Sequence, residues 1–334
     1  MRRLIARARR ARRDERGAVS VIVAVSMVAL LGFVAITVDI GALYAERAEL
    51  QNGADAAALA VAQECAASKT CTGTTAAAPW LASATTTARS LANANANDDA
   101  TNISSVASPA PGSVRITTGT RDGSSGAGAL AYTFAPILGI DTANPTANAT
   151  AAWGNPAAGP AMLPLAFAPC EFAQGNGIRV FRTHGDPTCS STSPSGQVLP
   201  GGFSWLAHPS GTCTIRVDIA VNAPLPSDSG NDFPAGCSTV LNSSAIGKTL
   251  LLPVYVDKGG TGNNGWYKIR GWAAFELLGW NFSGTSSNNT AYTNAKCTGN
   301  CRGLIGRFVK YVSLDDRFTR GGPDLGASLV SLTK

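Results

Sequence analysis

From residue 18 to residue 38 the chain reads AVSVIVAVSMVALLGFVAITV, twenty-one residues without a charge. A helix rises about 1.5 Å per residue and the hydrocarbon core of a bilayer is about 30 Å thick, so about twenty apolar residues span it. The pattern predicts a membrane-spanning helix. Asp39 does not end it, because residues 39–64 read DIGALYAERAELQNGADAAALAVAQE, rich in the helix formers alanine, leucine and glutamate. Leu43, Leu50, Ala57 and Val61 recur along one side at helical spacing. Gly41 and Gly53 weaken such a helix without terminating it. One helix is therefore expected to run from the bilayer into the exterior. Its small-residue face allows close packing, either on the chain's own globular part or on another protein.

The pattern then becomes mixed. Residues 66–79 form an Ala/Thr/Ser linker, and 79–97 predict a second helix. A turn-rich crossing with Pro109 and Pro111 is expected over 101–112, and a strand over the alternating 113–118. Residues 122–128 form a Gly/Ser loop. A short apolar helix interrupted by Pro136 is expected over 129–138, and a further strand over 144–153. The stretch 154–160, GNPAAGP, marks a boundary. Beyond it helical periodicity fades, and strands are expected at 163–168, 178–182, 213–221, 250–257, 266–280 and 304–314. The fold class is α+β. The expected organisation is a basic cytoplasmic segment (1–17), the spanning helix and its extension (18–64), a small helix/strand unit (65–158) and a β-rich unit (159–334).

Charge sharpens this picture. Eight arginines precede the apolar run (Arg2, Arg3, Arg7, Arg9, Arg10, Arg12, Arg13, Arg16), against only Asp14 and Glu15. Eight minus two equals the whole net charge of +6, so the remainder carries 19 basic and 19 acidic groups and sums to zero. Arginine beside an apolar run stays cytoplasmic and attracts anionic headgroups. That reading is preferred to nucleic-acid binding, and it places the N-terminus inside and the bulk of the chain outside. A cleaved signal has an apolar region of about 7–15 residues. This run is longer and no small-x-small cleavage site follows it, so a retained single-pass anchor is expected. All eight cysteines lie beyond the anchor: Cys65, Cys71, Cys170, Cys189, Cys213, Cys237, Cys297 and Cys301. An even count in an exported region predicts disulfides. Proximity suggests Cys65 with Cys71 and Cys297 with Cys301, leaving the middle four to pair among themselves in an order the sequence leaves open.

Three stretches carry a family resemblance: Arg16-Gly17, Asp39-x-Gly41-x-x-Tyr44, and Leu50-Gln-Asn-Gly-Ala-Asp55-Ala-Ala-Ala-Leu-Ala60. Together with the apolar run they resemble the N-terminal module of TadE/TadG-like proteins of tight-adherence (Flp) pilus assembly, over residues 16 to 64. Phe134-Ala-Pro-Ile-Leu-Gly139 and Ala147-x-Ala149-x-Ala151 are similar to such proteins as well. The resemblance implies a pilin-like α/β unit and a membrane-anchored structural or accessory component. Its partners would be the lipid bilayer and other pilus proteins. An anchored cell-surface adhesin or ligand-binding protein is the alternative. Prepilins of this kind have a glycine before the cleavage site and a glutamate five residues after it. Gly17 and Ala18 would form that junction here, but Ile22 stands in the glutamate's place, which argues against processing and against a shaft-subunit role.

The remaining chemistry reads as structural. Gly260-Thr-Gly262-Asn-Asn-Gly265 matches G-x-G-x-x-G, but a strand pattern follows it where a dinucleotide site needs a helix, so a hairpin loop is expected. His184 and His208 lie in turn sequences without a G-x-S-x-G elbow, and neither has zinc-finger spacing to a cysteine pair. Asp122-Gly-Ser-Ser-Gly126 falls one serine short of an adhesive-domain metal motif and reads as a flexible loop. Asp228-Ser-Gly-Asn-Asp232 lacks EF-hand spacing. Trp205, Trp266, Trp272 and Trp280 are expected in the core rather than on a sugar-binding face. No catalytic, metal or cofactor site and no nucleic-acid partner is expected.

Overall fold

A computed structural model describes residues 2–126, 128–183, 185–228, 233–234, 236–283 and 287–333, and leaves the side chains of 2–18, 243–244 and 263 outside that description. The chain is α+β: a long N-terminal helix, a second helix, and mostly strands thereafter. Helix α1 runs over Arg2–Ser68 and α2 over Trp80–Ala94. Two compact units form. The first takes the chain up to Ala60 together with Thr75–Ala107 and Arg115–Thr150; the second takes Val61–Thr74, Ser108–Val114 and the chain from Ala151 onward.

In the first unit α2 buries Trp80, Leu81, Ala84, Ala88 and Ala92, a stripe at three- and four-residue spacing. Leu50, Ala54, Ala57 and Ala58 of α1 are buried in the same unit. A Cβ on Gly53 would come within 3.2 Å of the Ala92 Cα. At that point α1 approaches the chain's own second helix, and glycine at 53 is what lets the two backbones come this close. The strand Thr101–Ala107 pairs antiparallel with Ser113–Thr120, from Thr101 opposite Thr120 to Ala107 opposite Arg115. This corrects the turn-rich crossing expected over 101–112: Thr101, Ile103 and Val106 supply strand-forming side chains, and the prolines only terminate the strand. The helix expected over 129–138 is also corrected. Leu130–Ala131 pairs with Thr142–Ala143, and a single 3₁₀ turn, Ala135–Leu138, sits between them. Pro136 cannot donate to a preceding turn, and Gly139 at φ +80° closes the turn with a left-handed residue.

The second unit is built on a sheet whose strands run in the order Phe203–Trp205, Leu165–Phe167, Thr249–Gly259, Trp266–Asn281, Gly303–Val309 and Arg179–Arg182. Its backbone is the long hairpin of Thr249–Gly259 with Trp266–Asn281. One core cluster is phenylalanine-rich. Phe167 is fully buried, with ring centroids of Phe181, Phe203, Phe275 and Phe308 at 4.9–5.8 Å. A second cluster holds Trp272, whose indole N–H donates to the Ala157 carbonyl at 3.1 Å and whose ring meets Phe318 edge-on. Trp205 and Trp280 are buried and Trp266 is half-buried, so the tryptophans serve the core. The expected strand over 213–221 is shorter, Ile215–Asp218, because the Asp218 carboxylate caps a 3₁₀ turn at Ile219–Val221. The strand expected over 304–314 is split into Gly303–Val309 and Tyr311–Ser313. Strands at Asp186–Thr192, Val198–Gly201 and Ala327–Thr333 have no counterpart among those expected.

Four disulfides join Cys65 to Cys71, Cys170 to Cys189, Cys213 to Cys237, and Cys297 to Cys301. Closing a loop of 24 residues, as Cys213–Cys237 does, restricts the unfolded chain by about 3 kcal/mol in the chain-entropy account. The paired change Cys213→Ser with Cys237→Ser should therefore cost the second unit about 3 kcal/mol. The same pair of changes at Cys297 and Cys301, which close only four residues, should cost distinctly less. Tryptophan fluorescence of the detergent-solubilised chain during chemical unfolding checks both, because five of its six tryptophans lie in the second unit. Equal losses would exclude the loop-length explanation.

Candidate functional site: an exposed apolar helix and a turn clamped by Asp39

Among the described residues of the uncharged run of α1 none is buried. Val25, Val28, Leu31 and Phe33 are each about two-thirds exposed, and from Val19 onward the helix is long and apolar enough to cross a membrane. Each such side chain left in water forgoes on the order of 1.5–3 kcal/mol of burial. The helix face is therefore matched to an apolar surrounding and not to solvent.

Asp39, at the end of the run, is buried. Its Oδ1 accepts the backbone N–H of Thr133 at 2.8 Å; its Oδ2 accepts those of Phe134 at 3.0 Å and Ala135 at 2.6 Å. These are orphan donors at the start of the 3₁₀ turn Ala135–Leu138, whose own N-terminal flank has no side-chain cap. One carboxylate 94 residues upstream thus does the work of a local capping residue. The turn and α1 enclose an apolar groove of about 500 Å³, lined by Gly32, Ala35, Ile36 and Ile40 from the helix and by Phe134 and Ile137 among others from the turn. The other two residues of the Asp39-x-Gly41-x-x-Tyr44 motif have no such internal role. Tyr44 is 70 % exposed, and a Cβ on Gly41 would meet open space.

The remaining candidate residues are held in structural contacts. The Asp122 carboxylate accepts from the hydroxyl and backbone N–H of Ser124 and of Ser125, between 2.6 and 3.0 Å. The Ser124 hydroxyl and the Ser125 amide hold the acid well below the usual carboxylate range, and the Asp-Gly-Ser-Ser turn is closed on itself. Gly260–Gly265 is a hairpin connection: a 3₁₀ turn, Gly262–Asn264, links two antiparallel strands. At Gly260, φ is +67° and a Cβ would lie 2.0 Å from the Asn264 carbonyl oxygen, so glycine is required there for the turn. Cys170, Glu171 and Cys189 bring ligand-type atoms together. Both sulfurs are committed to one disulfide, and the carboxylate accepts from Arg179 and from the Gly202 amide; the cluster is a packing feature. Tyr255 is buried and donates to the Pro200 carbonyl, and that burial pushes its phenol upward. His208 is half-buried with Nδ1 3.3 Å from the Leu206 carbonyl oxygen. His184, residues 229–232 of the Asp228–Asp232 stretch, and the side chains of Gly17 and Ala18 lie outside the described residues.

Two features of the site escape a reading of sequence. Asp39 stands out by motif, but its partners are nearly a hundred residues away. The outward direction of Ile137 and Leu138 follows from the 3₁₀ turn. The signal available was Pro136 followed by Gly139, which breaks an α-helix after a single turn.

The comparison with protein families places one assignment on the chain. Residues 17–64 match the family model described as "Putative Flp pilus-assembly TadE/G-like". No curated protein and no solved structure matches the chain. The matched residues take in the exposed apolar face of α1, Asp39 with its clamp, and Gly53 at the contact with α2. The likeness to TadE/G-like proteins thus rests on residues 17–64, less than half of the chain.

Proposed function

We propose that the chain is a single-pass, membrane-anchored, non-catalytic component of Flp/Tad pilus assembly. In this reading the arginine-rich segment is held in the cytoplasm and the chain beyond the uncharged run lies outside. The observation that carries it is a coincidence of position: the TadE/G-like match, the exposed apolar run and the end of the arginine cluster fall on the same stretch. The four disulfides support an oxidising compartment for the bulk of the chain. Ile22 in place of the prepilin glutamate supports an accessory, unprocessed role over that of a shaft subunit. Exposed Tyr44, with open space at Gly41, supports a docking face for another pilus-system protein just beyond the membrane.

Three measurements test this. Protease added to intact cells should digest the region beyond residue 64 without prior lysis; protection until lysis would remove the topology. Cross-linked membranes captured through a C-terminal tag should yield other pilus-assembly proteins. Capture of glycan or host ligands alone would favour an anchored adhesin instead. Mass spectrometry of the N-terminal peptide should find the arginines ahead of Ala18 retained.

A further inference from the structure

The 3₁₀ turn Ala135–Leu138 points its apolar side chains away from the fold. Ile137 is 84 % exposed, Leu138 73 % and Ile140 53 %. Three large aliphatic side chains clustered at one exposed turn form the kind of patch that marks a protein or membrane contact. Its place in the first unit selects between these. The groove beside the turn is lined by α1 from Gly32 to Ile40, so the patch is continuous with the exposed apolar face of the helix. Gly32 lies six residues before Val38, where the uncharged run ends, which is about 9 Å along the helix axis. Interfacial apolar elements bury to a depth of about 5–10 Å.

Non-helical backbone at that depth is tolerated only where its polar groups are satisfied within the protein. Six N–H donors between Thr133 and Ile140 meet that condition. Asp39 accepts the N–H groups of Thr133, Phe134 and Ala135, and Pro136 has none to satisfy. Ile137 donates to the Phe134 carbonyl at 3.1 Å, Gly139 to Pro136 at 3.0 Å, and Ile140 to Ala135 at 3.2 Å.

We infer that this turn is a second membrane contact: Ile137, Leu138 and Ile140 insert among the acyl chains of the external leaflet of the bilayer that α1 crosses. Asp39 clamps the turn at that level, and the first unit is thereby held at a fixed depth and orientation on the membrane instead of pivoting on a single helix. The inference rests on the reading of α1 as an anchor.

The test uses the full chain in vesicles of phosphatidylcholine and phosphatidylglycerol containing an alkyne-tagged phosphatidylcholine. A photo-crosslinking p-benzoylphenylalanine replaces Val25, Ile137 or Val198 in three separate proteins. Val25 lies in the run, and Val198 is an equally exposed residue of the second unit. The expected result is tagged-lipid adduct at 25 and at 137 with at most background at 198. Adduct at 25 without adduct at 137 overturns the inference and leaves the anchor standing. Loss of adduct at 25 overturns both. A protein–protein adduct from 137, in place of lipid, overturns the inference in favour of a contact between copies. Slow amide exchange at Thr133–Ala135 in each labelled protein, equal to that of the native chain, establishes that the clamp is intact in all three.

Discussion

Replacing Asp39 with alanine should release the turn that follows Ala131. Three backbone N–H groups lose a charged acceptor at once, in a place where the carboxylate itself is buried. Loss of a capping side chain costs about 0.5–2 kcal/mol, and a hydrogen bond to a charged group is worth about 1.5–3 kcal/mol. These figures overlap rather than add, and about 3 kcal/mol is the expected local loss. Since about 1.4 kcal/mol is a factor of ten in an equilibrium constant, amide exchange at Thr133–Ala135 should accelerate by about two orders of magnitude. Asp39→Asn should fall between the native chain and the alanine variant, because its amide keeps one acceptor oxygen and turns a donor toward the other N–H groups. The strands Thr101–Ala107 and Ser113–Thr120 receive no bond from Asp39, so their exchange should stay near native. Unchanged exchange at 133–135 in Asp39→Ala would show that the clamp is ornamental. Uniform acceleration through the whole first unit would show instead that Asp39 supports its core.

The same residue marks how far a sequence can be read. The apolar run, its continuation past Asp39, the second helix and the long hairpin all announce themselves through period and length, because each is decided by neighbours a few residues away. The Asp39 clamp is not decided that way. Its donors lie 94 to 96 residues downstream, and nothing local to 133–135 says that a carboxylate will arrive there. The strand Thr101–Ala107 was hidden by a different mechanism. Most of its side chains are half-buried or exposed, so apolar alternation is weak, and it is a strand because Ser113–Thr120 offers a paired edge. The hairpin of Asp186–Thr192 with Val198–Gly201 is more polar still; it is tied to the unit through the Cys170–Cys189 disulfide, and the sequence left the order of those middle cysteines open. Period-based reading thus missed these two polar elements, which are held by pairing and covalent closure.

Glu171 is the other residue whose importance the sequence conceals, since it reads as one acid in Ala-Pro-Cys-Glu-Phe-Ala and the fold buries it almost completely. Its Oε2 accepts from Arg179 Nη2 at 3.0 Å and its Oε1 from the Gly202 amide at 2.5 Å, while the Arg179 guanidinium lies 4.4 Å from the centre of the Phe181 ring. Removing one partner of a buried ion pair costs about 3–5 kcal/mol, chiefly by stranding the other charge. Arg179 retains some access to water (21 % of its side chain) while Glu171 has almost none. The two single losses should therefore be unequal. Glu171→Leu leaves a cation that water can partly reach and should cost about 3 kcal/mol; Arg179→Met leaves a carboxylate that water cannot reach and should cost more. The double change Glu171→Leu with Arg179→Met removes both charges, leaving the Gly202 amide without its acceptor and the Glu171 and Gly175 carbonyls without the guanidinium donor. It should be more stable than the Arg179→Met single variant, with a coupling of about 1–3 kcal/mol between the positions. Fluorescence-detected unfolding of the four proteins measures this cycle. Additive losses would mean that the pair is incidental, and the hairpin carrying Cys189 would then owe its position to the disulfide and the backbone alone.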